Sequence, residues 1–78
     1  MPTVLRIGSF RFFFYSSNRA EPPHVHIECG DGTAKFWLDP VRLHGSSRLS
    51  RAEIAQAQRL VEDRVELLLE KWDEYFGN

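Results

Sequence analysis

Two histidines one residue apart, His24 and His26, lie in the run EPPHVHIE at residues 21–28, which closes on Glu28. Imidazole titrates near neutral pH, so this pair is the part of the sequence best suited to chemistry. Three uses are open to it. Two imidazoles and a carboxylate form a 2-His-1-carboxylate metal set. Alternatively, the rings serve as acid and base, for example in RNA cleavage, with Arg11, Arg19 or Lys35 steadying a phosphate. In the third reading they hydrogen-bond loop carbonyls and fix the turn after Pro22 and Pro23, with His24 buried or partly buried at the strand's entrance.

On a strand, alternate side chains share a face. His24, His26 and Glu28 therefore line one side, and Val25, Ile27 and Cys29 the other. The apolar side is the natural core side, so the imidazoles are expected exposed or in a groove. Residues i and i+4 of an extended strand stand about 13 Å apart. His24 and Glu28 thus do not reach one ion without a bulge. A two-histidine site would need a further ligand from His44, Asp39, Glu21 or Asp31. Ser16, Ser17 and Cys29 stand in no nucleophile spacing to the pair. His24 and His26 are thus the candidate catalytic residues, supported by Pro22, Pro23 and Glu28, and no metal or cofactor is assigned.

A second candidate is the stretch RLHGSSRLSR at residues 42–51, which gathers Arg42, His44, Arg48 and Arg51 just before a helix start. Backbone N–H groups at such a start bind anions. Arginine suits planar recognition of phosphate. Arg11, Arg19, Arg48 and Arg51 are accordingly the candidate phosphate contacts.

The elements that position these residues follow from pattern. TVLRI and the aromatic run FRFFFYS, separated by Gly8-Ser9, read as a hairpin over residues 3–7 and 10–16. In the second strand Phe10, Phe12 and Phe14 take one face, and Arg11, Phe13 and Tyr15 the other. That second face is partly apolar, so a helix or partner is expected to cover it. Pro23 starts the next strand without needing a ladder donor. HVHIEC, the turn at Gly30-Asp31-Gly32 and TAKFWL form a second hairpin, ended by Asp39-Pro40, and VRLHGSS holds a short edge strand. Ser50 with Glu53 reads as a capping box. From there Ile54, Ala57, Val61, Val65, Leu68, Trp72 and Tyr75 or Phe76 recur at steps of three and four. This is one amphipathic helix to about residue 76, or two broken near residues 60–62.

The expected fold is therefore α+β: one domain over residues 1–78, with four or five antiparallel strands in 3–44. Helical structure over 50–76 packs on one sheet face. At 78 residues, 42% hydrophobic and 13% aromatic, the chain is too apolar to be disordered. One cysteine excludes an internal disulfide and a thiolate metal cluster. No apolar run approaches membrane-spanning length, and the N-terminus lacks a signal-peptide layout, so a cytoplasmic protein is expected. The net charge of −1 argues against coating nucleic acid by charge alone. It is unevenly spread: residues 1–61 carry net +3 and residues 62–78 net −4. Such segregation fits half of a charge-complementary pair.

The opening MPTVLRIG, the strand RFFFYSSN, EPPHVHIE, AKFWLDPV and the ending LLLEKWDEYF together resemble a family of small bacterial proteins catalogued as domain of unknown function 4160. The resemblance spans almost the whole chain. It implies a protein often encoded beside another short protein and associated in places with toxin–antitoxin systems. It brings no catalytic residues. The recurring family feature maps onto Pro22, Pro23, His24 and His26, with Glu28 beside them. The basic loop RLHGSSRLSR departs from the family pattern, so any role of His44 or Arg48 is this chain's own. The expected function is a small interaction or regulatory module, one component of a toxin–antitoxin-like pair. Its partner would be a small protein or a second copy, with RNA or DNA contact open. The competing expectation is a small ribonuclease-type toxin, or a metal-binding protein, using the His-x-His pair.

Overall fold

The structure, a computed structural model, describes residues 3–15 and 20–77. Five strands run in chain order across one antiparallel sheet: β1 (Thr3–Ile7), β2 (Phe10–Phe13), β3 (His24–Cys29), β4 (Gly32–Leu38) and β5 (Val41–Ser47). Short connections explain the order, because a tight turn can join only neighbouring antiparallel strands. Gly8 (φ 56°) and Gly30 (φ 59°) supply the left-handed conformations that two of these turns need. The β5 strand ends three residues beyond the expected limit of 44, and β1 and β5 form the sheet edges.

Two helices follow, α1 (Arg51–Asp63) and α2 (Val65–Phe76). The capping box is formed as read from the sequence: Glu53 N–H donates to Ser50 Oγ at 3.1 Å, and Ser50 N–H to Glu53 Oε1 at 2.8 Å. The break falls at Arg64 (φ −125°, ψ 20°), just past the 60–62 window. A straight helix over residues 51–76 would run about 39 Å. The molecule's longest dimension is 34 Å, so breaking keeps both halves on the core. Gly77 (φ 74°) closes α2 in the left-handed conformation, with its N–H on Asp73 O at 3.0 Å.

The core lies between the helices and one sheet face. Phe10, Phe12 and Phe14 meet Val25, Ile27, Ala34, Phe36 and Leu38, under Ala57, Val61, Leu68, Trp72 and Phe76. Full burial of each large side chain contributes about 1.5–3 kcal/mol. Cys29 is a free thiol against this core, as its place on the Val25 side implied. The expectation that a helix or partner covers the second face of β2 is not met by the helices. There Phe13 is only 3% exposed because neighbouring side chains shield it. The Arg11 guanidinium lies 4.4 Å from its ring centre, and His26 stacks on it at 5.6 Å. No helix among the described residues is long and apolar enough to cross a membrane.

Candidate functional site

The two-residue turn at Gly30-Asp31 sets the register of β3 on β4: Cys29 faces Gly32, His26 faces Lys35 and His24 faces Trp37. On the other side Phe13 faces His26 and Arg11 faces Glu28. The sheet face turned away from the helices therefore gathers Arg11, Phe13, His26, Glu28, Lys35 and Trp37. Glu28 accepts from Arg11 Nε at 2.9 Å, and Arg11 also donates to Thr3 Oγ1 at 3.1 Å.

His24 departs from the expectation that both imidazoles are exposed or in a groove. It is wholly buried. Its place at the start of β3 lets α2 reach it: Trp72 comes to 5.1 Å between ring centres, Trp37 to 5.5 Å and His26 to 5.1 Å. Nδ1 lies 2.9 Å from Pro22 O. A carbonyl oxygen only accepts, so Nδ1 carries the proton and Nε2 the lone pair. Nε2 stands 3.5 Å from Glu21 Oε1 and has no hydrogen-bond partner among the described residues. Two lone pairs face one another there, which keeps the atoms apart. Burial holds the His24 pKa below its ordinary value. The ring thus makes the loop-carbonyl bond of the structural reading.

Glu21 is held from the other side by Lys35 Nζ at 2.9 Å, and that hydrogen bond lowers its pKa. Lys35 also sits over the Trp37 ring, 4.7 Å from its centre. His26 is partly buried between Phe13, Tyr15 and His24. Burial first, then His24 and Lys35, push its pKa from 6.5 to about 4. Unlike His24, it borders open space. A hollow of about 210 Å³ is lined by Phe13, Tyr15, His26, Lys35 and His44, with Thr33 and Ser46 at its rim. His44 sits at a bulge. Pairing steps from Lys35 with Gly45 to Phe36 with Leu43, leaving His44 the extra residue on β5. Its ring packs edge-on against Trp37 at 5.2 Å.

The anion candidates lie apart from this hollow. Arg11 is engaged with Glu28. Arg48, exposed and at φ 61°, and Arg51, the first residue of α1, flank the helix start. Arg19 lies outside the described residues, as do Ser16 and Ser17. Among the described residues no three His, Cys, Asp or Glu side chains are placed to hold one metal ion. Lys35 and His44, expected near the pair as a phosphate contact and as a further ligand, do line the hollow with His26, and Tyr15 joins them in a way the sequence reading did not assemble. The signal that could have placed Lys35 beside His26 was a two-residue turn at Gly30-Asp31, rather than a three-residue one. Alternation from Leu43 already puts His44 on the Lys35 face; the bulge itself had no comparable signal.

The family model described as domain of unknown function (DUF4160) matches residues 9–73, which includes every strand of the hollow and the part of α2 that carries Trp72. The chain belongs to this family. No curated protein and no solved structure matches it. Pro22, Pro23, His24 and His26, which carried the resemblance, fall inside the family match. Their arrangement here is a buried ring tied to a proline carbonyl beside a second ring at the edge of a cavity.

Proposed function

We propose that the protein is a non-enzymatic interaction module, acting in the cytoplasm as one component of a toxin–antitoxin-like pair. The helix-free sheet face is its working surface. The observation that carries this reading is the enclosure of His24. A general acid or base must come within hydrogen-bond reach of the proton it moves. His24 is 0% exposed, its Nδ1 is engaged with Pro22, and Trp37 and Trp72 close on its ring. The withdrawal of His24 weighs against the pair working as acid and base on one phosphate. His26, Tyr15 and His44 then remain as elements of a recognition surface. Charge segregation along the chain supports a partner of complementary charge.

The test is expression of the wild type and of a His24→Ala/His26→Ala double variant, following growth and total RNA integrity. Neither protein is expected to degrade RNA. RNA loss with the wild type, abolished in a double variant that still melts cooperatively, would establish the ribonuclease reading instead.

A further inference from the structure

The basic stretch over residues 42–51 lies along one margin of the sheet. β5, which carries most of it, is an edge strand of seven residues, against five in β1. Its backbone groups alternate between β4 and the free edge. Leu38 N–H donates to Pro23 O at 3.1 Å, on the β3 side of β4. Alternation then turns Phe36 toward β3 as well, and Trp37 toward β5. Arg42, opposite Trp37, therefore bonds inward, whereas Leu43, opposite Phe36, presents its N–H and C=O to the free edge. Side chains alternate too. Val41 and Leu43 are half-buried against the core, and Arg42 and His44 are exposed on the side of Trp37. Arg48 and Arg51, both exposed, follow beyond the strand. No Asp or Glu occurs from residue 40 to residue 52. Asp39, in the turn before β5, makes no ion pair with Arg42 among the described residues.

A second copy of this chain does not suit this edge. Pairing β5 with itself would add a second Arg42 and His44 beside the first, and the β1 margin carries Arg6, opposite Arg11. Like charges directly opposite destabilise a strand pair, and charged edges keep sheets from joining. The complement is a strand that alternates carboxylates, beside Arg42 and His44, with apolar groups beside Val41 and Leu43.

We propose that the free edge of β5 is a docking site for an extended, acidic segment of a partner protein, which adds to the sheet as a further strand. Main-chain bonds to Leu43 give affinity, and the alternating side chains give specificity. This deepens the proposed function by naming the class of partner at the rim of the same face, and rests on that reading.

The probe is a fluorescein-labelled peptide of alternating valine and glutamate, seven residues long like β5, titrated with the full chain and read by anisotropy. It should bind more tightly than the matching valine–lysine peptide, and more weakly as salt is raised. Arg42→Glu should weaken it about tenfold and tighten the valine–lysine peptide. Arg6→Glu, on the other edge, should leave binding unchanged. Docking as a strand should slow hydrogen exchange at the Leu43 N–H, while the Arg42 N–H, already bonded to β4, changes little. Thermal melts of each variant separate loss of binding from loss of fold. Binding without protection of Leu43 overturns strand addition, and an equal loss in Arg6→Glu overturns the assignment to β5. Equal affinity for the two peptides overturns the acidic partner, as does an oligonucleotide that outcompetes the valine–glutamate peptide. A dimer in sedimentation, with the Leu43 N–H already protected, would mean that a second copy fills the edge and overturns the inference too. Absence of binding at about 100 µM protein overturns this inference alone. The non-enzymatic reading falls only on RNA loss.

Discussion

Acid should loosen this protein through His26 well before its carboxylates titrate. The ring's pKa falls from 6.5 to about 4 on folding, because burial and the neighbouring His24 and Lys35 disfavour its charged form. Above pH 6.5 both folded and unfolded chains hold it neutral, and it contributes nothing to pH dependence. As pH falls below 6.5 the unfolded chain takes up the proton while the folded chain resists, so stability drops. At pH 5 the linkage amounts to about 2 kcal/mol, and it approaches about 3 kcal/mol below pH 4. Glu21 acts in the same direction but in a lower pH range. Its lowered pKa contributes stability above 4.5 that is lost only at lower pH, so pH 5 isolates the histidines. Urea unfolding followed by Trp fluorescence at pH 7.5 and pH 5 measures the loss, and His26→Phe removes the titrating group while keeping a ring on Phe13 and Tyr15. His24 is present in both proteins, so the comparison reads His26 together with its coupling to His24. The variant should lose about 2 kcal/mol less than the wild type between the two pH values. Parallel losses in the two proteins would refute the argument.

Other perturbations follow from single contacts. A Cβ at Gly32 would run into the Arg48 carbonyl and the Leu49 side chain, so Gly32→Ala should destabilise by about 1–3 kcal/mol in urea unfolding. Ser50→Ala removes the acceptor for the Glu53 N–H and should cost about 1 kcal/mol, with lower helical circular dichroism in the transition region. Trp72→Leu should destabilise by a few kcal/mol. It also uncovers His24, whose pKa should rise toward 6.5 in an NMR titration; an unchanged value would show that Trp72 does not cause the depression.

Much of the architecture was legible because it depends on local chemistry. Alternation placed Val25 and Ile27 in the core and His26 and Glu28 opposite. Gly8-Ser9 and Gly30-Asp31-Gly32 marked the turns, the second one residue too long, and Ser50 with Glu53 marked the helix start. These signals act within a few residues, where backbone sterics and hydrogen bonding are decided. The family followed from the same local runs.

Tertiary structure decided what local patterns do not encode. The parity of the strand puts His24 with His26, yet the two rings end in different environments. Packing of α2 brings Trp72 from nearly fifty residues away onto the strand's first residue, and burial follows. The bulge on β5 sets both His44 and Gly45 opposite Lys35, a detail that alternation alone does not give. Lys35, Glu21 and His26 meet only because the sheet register aligns them. The sequence by itself therefore determined the strands, the turns, the capped helix and the polar identity of one face. Which histidine faces open space, and what stands around it, came from long-range packing, whose free energy depends on shape rather than on neighbours in the chain.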